Sequence, residues 1–96
     1  MENFEETLKS GQPPANLSAA LQGLWWDAKG DWNSAHACVD ACVDEAGMRV
    51  HAYLHRKEGD LANAAYWYSR VESTVPDISL AEECDALRHS LLAPDR

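Results

Sequence analysis

The chain has 96 residues, of which 46% are hydrophobic and 25% charged, a composition typical of a globular domain. Sixteen acidic residues stand against eight basic ones, so the formal net charge is −8. Nucleic acids and anionic membranes are bound through an excess of lysine and arginine, which this chain lacks. We therefore expect neither a nucleic acid nor a membrane as its partner.

The length fits a single domain, residues 1–96, because a second hydrophobic core would need more residues. No apolar run approaches the roughly 20 residues of a membrane span, and residues 1–6 are acidic, unlike a secretory signal. We expect a cytoplasmic protein. The three cysteines contain no CxxC pair, which favours reduced thiols at Cys38, Cys42 and Cys84.

The first half of the chain predicts three helices. A short helix is expected to begin at Asn3, an N-cap candidate, and to end near Gly11. A second helix has apolar residues at spacings of three and four, at Leu17, Ala20, Leu21, Leu24, Trp25 and Ala28. Gly30 is expected to end it, and Asp31 to cap a third helix that runs to Gly47. The third helix has its apolar positions at Trp32, Ala35, Val39, Cys42, Val43 and Ala46.

The second half predicts three more helices. A fourth helix ends at Gly59, and Asp60 caps a fifth helix with apolar positions at Leu61, Ala64, Ala65, Tyr68 and Val71. Residues 73–77 are predicted to form a loop. Ser79 and Glu82 then form a capping box for a last helix over about residues 79–92, which Pro94 ends. No segment alternates as a strand does, so the predicted fold class is all-α, with antiparallel helical hairpins and flanking capping helices.

The chain contains an internal repeat. Residues 24–32 align with residues 53–61, an offset of 29, and each segment ends in a Gly-Asp turn followed by a large apolar residue. A small residue lies seven positions before each turn glycine, at Gly23 and Ala52, and an alanine lies five positions after it, at Ala35 and Ala64. These small residues allow two helices to approach closely.

These features resemble the tetratricopeptide repeat. The resemblance implies two degenerate hairpin units, about residues 17–46 and 48–71, followed by the C-terminal capping helix. It also implies a concave groove faced by Arg49, Tyr53 and Arg56. The chain departs from that family at Gln22 and His51, where an apolar residue is expected. Residues 51–68 also resemble a segment of small uncharacterised bacterial proteins, which implies no activity.

The second hairpin carries the residues best suited to binding a partner. Its candidate binding residues are Arg49, His51, Tyr53, His55, Arg56, Asn63, Tyr66 and Trp67. Aromatic rings with a polar end are typical interface anchors, and guanidinium groups can hold a carboxylate by two hydrogen bonds. The preferred hypothesis is a non-catalytic module that binds a protein or an acidic peptide. The structural alternative is that Tyr68, and Trp67 with it, only fill the core, while the charges pair internally with Glu58 or Asp60.

A second hypothesis is a small metal-binding protein or enzyme. His51, His55 and Glu58 lie along one face of the predicted fourth helix, as metal ligands can. The segment lacks the glutamate that follows the first histidine in zinc-protease helices, so a further ligand would have to come from His36, Asp31 or Asp60. We expect no metal ion and no other cofactor.

A cysteine nucleophile and a homodimer are the remaining alternatives. His36 and Cys38 point to different faces of their helix, and Cys42 belongs to its apolar face. We therefore assign no catalytic residue. A structural homodimer subunit is a further alternative, in which an exposed Trp26 would help to bury the interface.

Overall fold

The computed structural model describes residues 4–92, and within that range the chain forms six α-helices and no strand. The helices are α1 Phe4–Thr7, α2 Ala19–Ala28, α3 Trp32–Val39, α4 Glu45–Glu58, α5 Leu61–Arg70 and α6 Leu80–Leu92. Helix α2 packs along α3, and α4 packs along α5, each pair joined by a very short turn. The prediction of an all-α fold is confirmed over the described residues.

Short polar side chains start the helices as the sequence predicts. Asp31 and Asp60 each accept a hydrogen bond from the backbone N–H three residues on, at the starts of α3 and α5. Ser79 and Glu82 form the predicted reciprocal capping box before α6, with distances of 2.9 and 3.0 Å. Gly59 ends α4 in the left-handed conformation, with φ of 92°. The positions of these helix ends are therefore fixed by local hydrogen bonding.

The predicted extent of the third helix is wrong. Helix α3 ends at Val39, and Asp44 caps α4 by accepting from the backbone N–H of Gly47 at 3.1 Å. Gly47 therefore lies in the first turn of α4, where a Cβ atom would come within 2.4 Å of the Cβ of Cys42. The glycine allows this close approach and does not end a helix. Val43, predicted to be apolar and inward, is 78% exposed.

The first helix is also shorter than predicted, since α1 covers only Phe4–Thr7. The predicted N-cap Asn3 and the predicted helix stop Pro94 lie outside the described residues.

The main core lies between α2, α3 and α4. Its fully buried side chains include Leu24, Trp25, Val39, Val50 and Leu54. Helix α5 docks on α4 through a smaller cluster of buried residues, Ala52, Ala64 and Tyr68. The two alanines are the small residues of the sequence repeat, and their size lets α4 and α5 approach closely.

Helix α6 is fixed to α4 by a buried carboxylate. Glu83 is 6% exposed, accepts a hydrogen bond from the Tyr68 hydroxyl at 2.5 Å and forms an ion pair with Arg56 at 2.8 Å. Arg56 also donates to the carbonyl oxygen of Ile78, just before α6. These contacts hold α6 across the face of α4 that carries Arg56.

A second buried carboxylate joins α2 to α4. Asp27 accepts hydrogen bonds from the Tyr53 hydroxyl at 2.8 Å and from the Lys57 ammonium group at 2.7 Å. Because Asp27 is only 7% exposed, both donors are needed to satisfy its charge away from water. None of the helices between residues 4 and 92 combines the length and apolar character needed to cross a bilayer.

Candidate metal centre

Three of the four histidines converge between α3 and α4. His36 comes from α3, and His51 and His55 come from successive turns of α4. One ring nitrogen of each lies within 4.8 Å of the corresponding nitrogens of the other two. The fourth histidine, His89, lies on an exposed position of α6. We call His36, His51 and His55 the histidine cluster.

The spacing of the cluster suits a small metal ion. The Nε2 atoms of His36 and His51 are 3.0 Å apart. Zinc–nitrogen bonds of about 2.0–2.1 Å at a tetrahedral angle place two ligand nitrogens about 3.3–3.4 Å apart. The observed separation is therefore a few tenths of an ångström from the value that coordination requires. In the metal-free protein, one of these two nitrogens donates its hydrogen to the other.

A carboxylate orients the third ring. The Nδ1 atom of His55 lies 2.7 Å from the Oε2 atom of Glu58, so a protonated Nδ1 donates to the carboxylate. This arrangement leaves the lone pair of His55 on Nε2. Metal-binding histidines are commonly held in this way by an outer carboxylate, which fixes the ring and increases its basicity. Glu58 therefore supports a ligand of the histidine cluster. With His55 and Asp60 it also forms a second, more exposed group of possible ligand atoms within 4.8 Å of one another.

Two tryptophans enclose the cluster. The Trp32 ring stacks on His36 with centroids 4.9 Å apart, and the Trp67 ring stacks on His51 at 4.1 Å. The Nε1–H group of Trp32 donates to the carbonyl oxygen of Leu54 at 2.8 Å, which fixes that indole against α4. The two indole rings hold the imidazoles in their present orientations, and His51, the ring under Trp67, is shielded from water.

Burial keeps His51 neutral. His51 is 2% exposed, and burial together with the neighbouring His36 and His55 lowers its pKa to about 4. At neutral pH its lone pair is thus available without competition from a proton. Its Nδ1 atom is buried and has no hydrogen-bond partner within residues 4–92. An unpaired buried nitrogen costs about 1–3 kcal/mol, which is a cost that functional sites often carry.

The cluster reaches solvent at His36. The side chain of His36 is 25% exposed, whereas His51 and His55 are 2% and 6% exposed. Asp40 lies at this edge, with its Oδ1 atom 3.8 Å from the Nε2 atom of His36. An ion can therefore enter from the side of α3, where an additional oxygen atom is already close.

The remaining predicted binding residues do not form one continuous surface. Tyr53 and Arg56 are engaged by Asp27 and Glu83, as described above. Arg49 is half-buried and pairs with Glu45 at 2.8 Å. The prediction that the charged side chains pair with Glu58 or Asp60 is therefore wrong for Arg49 and Arg56.

Helix α5 carries the other three predicted binding residues. Asn63 and Trp67 are half-buried, and Tyr66 is 54% exposed. Trp67 belongs to the wall of the histidine cluster through its stacking on His51. Tyr66 meets Trp67 edge to face at 5.3 Å. The prediction that Tyr68 fills core is confirmed by its 2% exposure.

The cysteines are unsuited to nucleophilic chemistry. All three are free, and burial raises the pKa of Cys38, Cys42 and Cys84. The thiolate is the reactive form, so a raised pKa reduces reactivity at neutral pH. This agrees with the expectation of reduced, structural thiols.

Comparison of the chain with protein-family models, with curated proteins and with solved structures finds no match. The resemblance to the tetratricopeptide repeat therefore stays a prediction. Any function has to be inferred from the geometry of the residues themselves.

Proposed function

We propose that this protein binds one transition-metal ion of the zinc type through the histidine cluster. The observation that carries the proposal is the convergence of three imidazole nitrogens, two of them 3.0 Å apart, in a largely buried position. Imidazole nitrogen is a preferred ligand of Zn²⁺ and Cu²⁺, whereas Mg²⁺ and Ca²⁺ prefer oxygen. The hypothesis based on His51, His55 and Glu58 is modified here. His36 becomes a ligand, and Glu58 supports His55 by a hydrogen bond.

The surroundings of the cluster support this assignment. His51 is neutral at neutral pH, so binding an ion does not first require the loss of a proton from a cationic imidazolium. The hydrogen bond from His55 to Glu58 selects the tautomer that leaves Nε2 free.

Such an ion would link the two helix pairs. His36 belongs to the α2–α3 pair, and His51 and His55 belong to the α4–α5 pair. Coordination would therefore fix the relative position of α3 and α4, which belong to different pairs. A structural role follows from this placement.

The test is a zinc titration of untagged, chelator-treated protein, followed by native mass spectrometry. We expect one ion per chain for the wild type and for the control His89→Ala, which removes the exposed histidine outside the cluster. His36→Ala and His55→Ala should lose at least about tenfold in affinity while keeping their helical circular dichroism. Equal affinities for His36→Ala and His89→Ala, or no stoichiometric ion in the wild type, would refute the proposal.

A second candidate function is the binding of a protein or peptide through α5. The observation that favours it is an exposed aromatic and basic surface, in which the Arg70 guanidinium lies over Trp67 at 5.0 Å and near Tyr66 at 5.9 Å. Tyrosine, tryptophan and arginine are the residues most often found at binding hot spots. Arg70 offers a charge to an acidic partner.

This candidate is tested separately from the metal. A lysate pull-down should yield a partner with wild type and lose it with Tyr66→Ser, a change that leaves the histidine cluster intact. Light scattering at several concentrations would show whether that partner is a second copy of the chain. Retention of the partner by Tyr66→Ser would remove the α5 surface from consideration.

A further inference from the structure

The histidine cluster supplies three ligands, so an ion that prefers four leaves one position to be filled. Zinc sites that serve structure are closed by a fourth protein ligand, whereas catalytic sites keep a water molecule there. His36 is the most exposed member of the cluster, so the fourth position is expected at its edge. The residue found at that edge decides which type of site this is.

Asp40 is placed to reach this position. It follows the last residue of α3 and keeps helical backbone angles, φ −56° and ψ −38°. Its side chain therefore lies one turn beyond His36, on the same face of the helix. The Oδ1 atom of Asp40 is 3.8 Å from the Nε2 atom of His36.

Coordination requires the Asp40 carboxylate to move toward the cluster, because it lies outside the group of histidine nitrogens that are within 4.8 Å of one another. A carboxylate oxygen and an imidazole nitrogen bound to one tetrahedral zinc ion lie about 3.3 Å apart, from bond lengths of about 2.0–2.2 Å. The observed 3.8 Å exceeds that value by about half an ångström. The Asp40 side chain is 67% exposed, so packing does not block its rotation toward the ion.

We propose that Asp40 is the fourth ligand and closes the site, so that the ion is held by three histidines and one aspartate with no exchangeable position. This inference rests on the proposed metal binding. It assigns the ion a structural role and excludes a metal-bound water as the source of an activity.

The test uses Co²⁺ as a spectroscopic substitute for Zn²⁺ in the full chain. We expect wild-type protein to give the intense visible absorption of four-coordinate Co²⁺ and to show no change on addition of azide. Asp40→Ala should lose at least about tenfold in Zn²⁺ affinity, and its Co²⁺ spectrum should respond to azide. Asp77→Ala, which removes an exposed carboxylate in the loop before α6, is the control with the same change of charge.

The results separate this inference from the proposal on which it rests. If Asp40→Ala and Asp77→Ala bind Zn²⁺ equally and azide alters the wild-type spectrum, the fourth position is open and the inference is wrong, while the three-histidine site stands. If wild-type protein binds neither ion, both proposals fail. Melting curves for all variants exclude unfolding as the cause of lost affinity.

Discussion

Acidification should destabilise the metal-free protein through one residue, His51. The pKa of His51 is about 4 in the folded chain, against an ordinary value of 6.5, because the ring is buried beside two other histidines. Between these two pH values the unfolded chain binds a proton that the folded chain does not. Stability therefore falls as the pH is lowered from about 6.5 to about 4, and below that this residue has no further effect.

The size of the effect follows from the two pKa values. The difference between 6.5 and about 4 is worth about 3 kcal/mol, at about 1.4 kcal/mol for each tenfold change in proton affinity. Small domains are stable by about 5–15 kcal/mol, so the loss is a large fraction of the total. The groups that face His51 are His36 and His55, which disfavour its protonation, and Asp40, which favours it.

The assay is urea denaturation of chelator-treated protein at several pH values between 7 and 4. His51→Phe keeps a ring to stack on Trp67 but cannot titrate. Between pH 7 and pH 4 this variant should therefore lose about 3 kcal/mol less stability than the wild type. His89→Ala removes an exposed histidine and should keep the wild-type slope. If wild type and His51→Phe lose stability in parallel, His51 is not held neutral by burial and the reasoning fails.

Two further predictions concern the packing of α6 and the start of α4. Glu83→Gln leaves the largely buried charge of Arg56 without its carboxylate partner. It should destabilise the protein by about 3–5 kcal/mol, measured by urea denaturation. A loss below about 1 kcal/mol would mean that water already solvates the ion pair. Gly47→Ala places a Cβ atom against Cys42 and should lower the stability by about 1–3 kcal/mol. In Gly11→Ala the added Cβ meets nothing within 4 Å, so its stability should be nearly that of the wild type. The melting temperatures of the two variants are compared. Equal melting temperatures for the two glycine variants would show that the first turn of α4 can shift.

The parts of the fold that depend on local chemistry could be predicted from the sequence. The caps at Asp31 and Asp60, the turn glycine Gly59 and the capping box before α6 all act within three or four residues. The end of α3 could not be predicted in this way. The apolar spacing continues through Val43 and competes with another local signal, the cap at Asp44, which accepts from the N–H of Gly47; the structure follows the cap, and Gly47 then lies close to Cys42.

The candidate metal centre could be predicted only in part. His51 and His55 share a helix face, so their spacing alone indicates proximity. His36 lies 15 residues before His51, and its position depends on how α3 packs against α4, which periodicity does not give. One signal in the sequence did point to the cluster, because His51 occupies a repeat position where an apolar residue is expected. A polar residue at such a position means either that the two repeats are aligned incorrectly or that the residue has a function.

The placement of polar groups around α4 connects the fold to the proposed function. At 3.6 residues per turn, His51 and Tyr53 point about 200° apart, so the cluster and the face that meets α2 and α6 lie on opposite sides of the helix. On one side, Asp27 and Glu83 bind the neighbouring helices through buried charges. On the other side, His36 of α3 makes the corresponding contact with His51 of α4.

That contact lacks a charge in the metal-free protein, since it consists of one histidine–histidine hydrogen bond and leaves a buried nitrogen unpaired. A bound ion would supply the missing charge. At a hundred times its dissociation constant it would add about 2.7 kcal/mol to the stability of the folded chain. The ion would act at the junction where the α2–α3 and α4–α5 pairs meet.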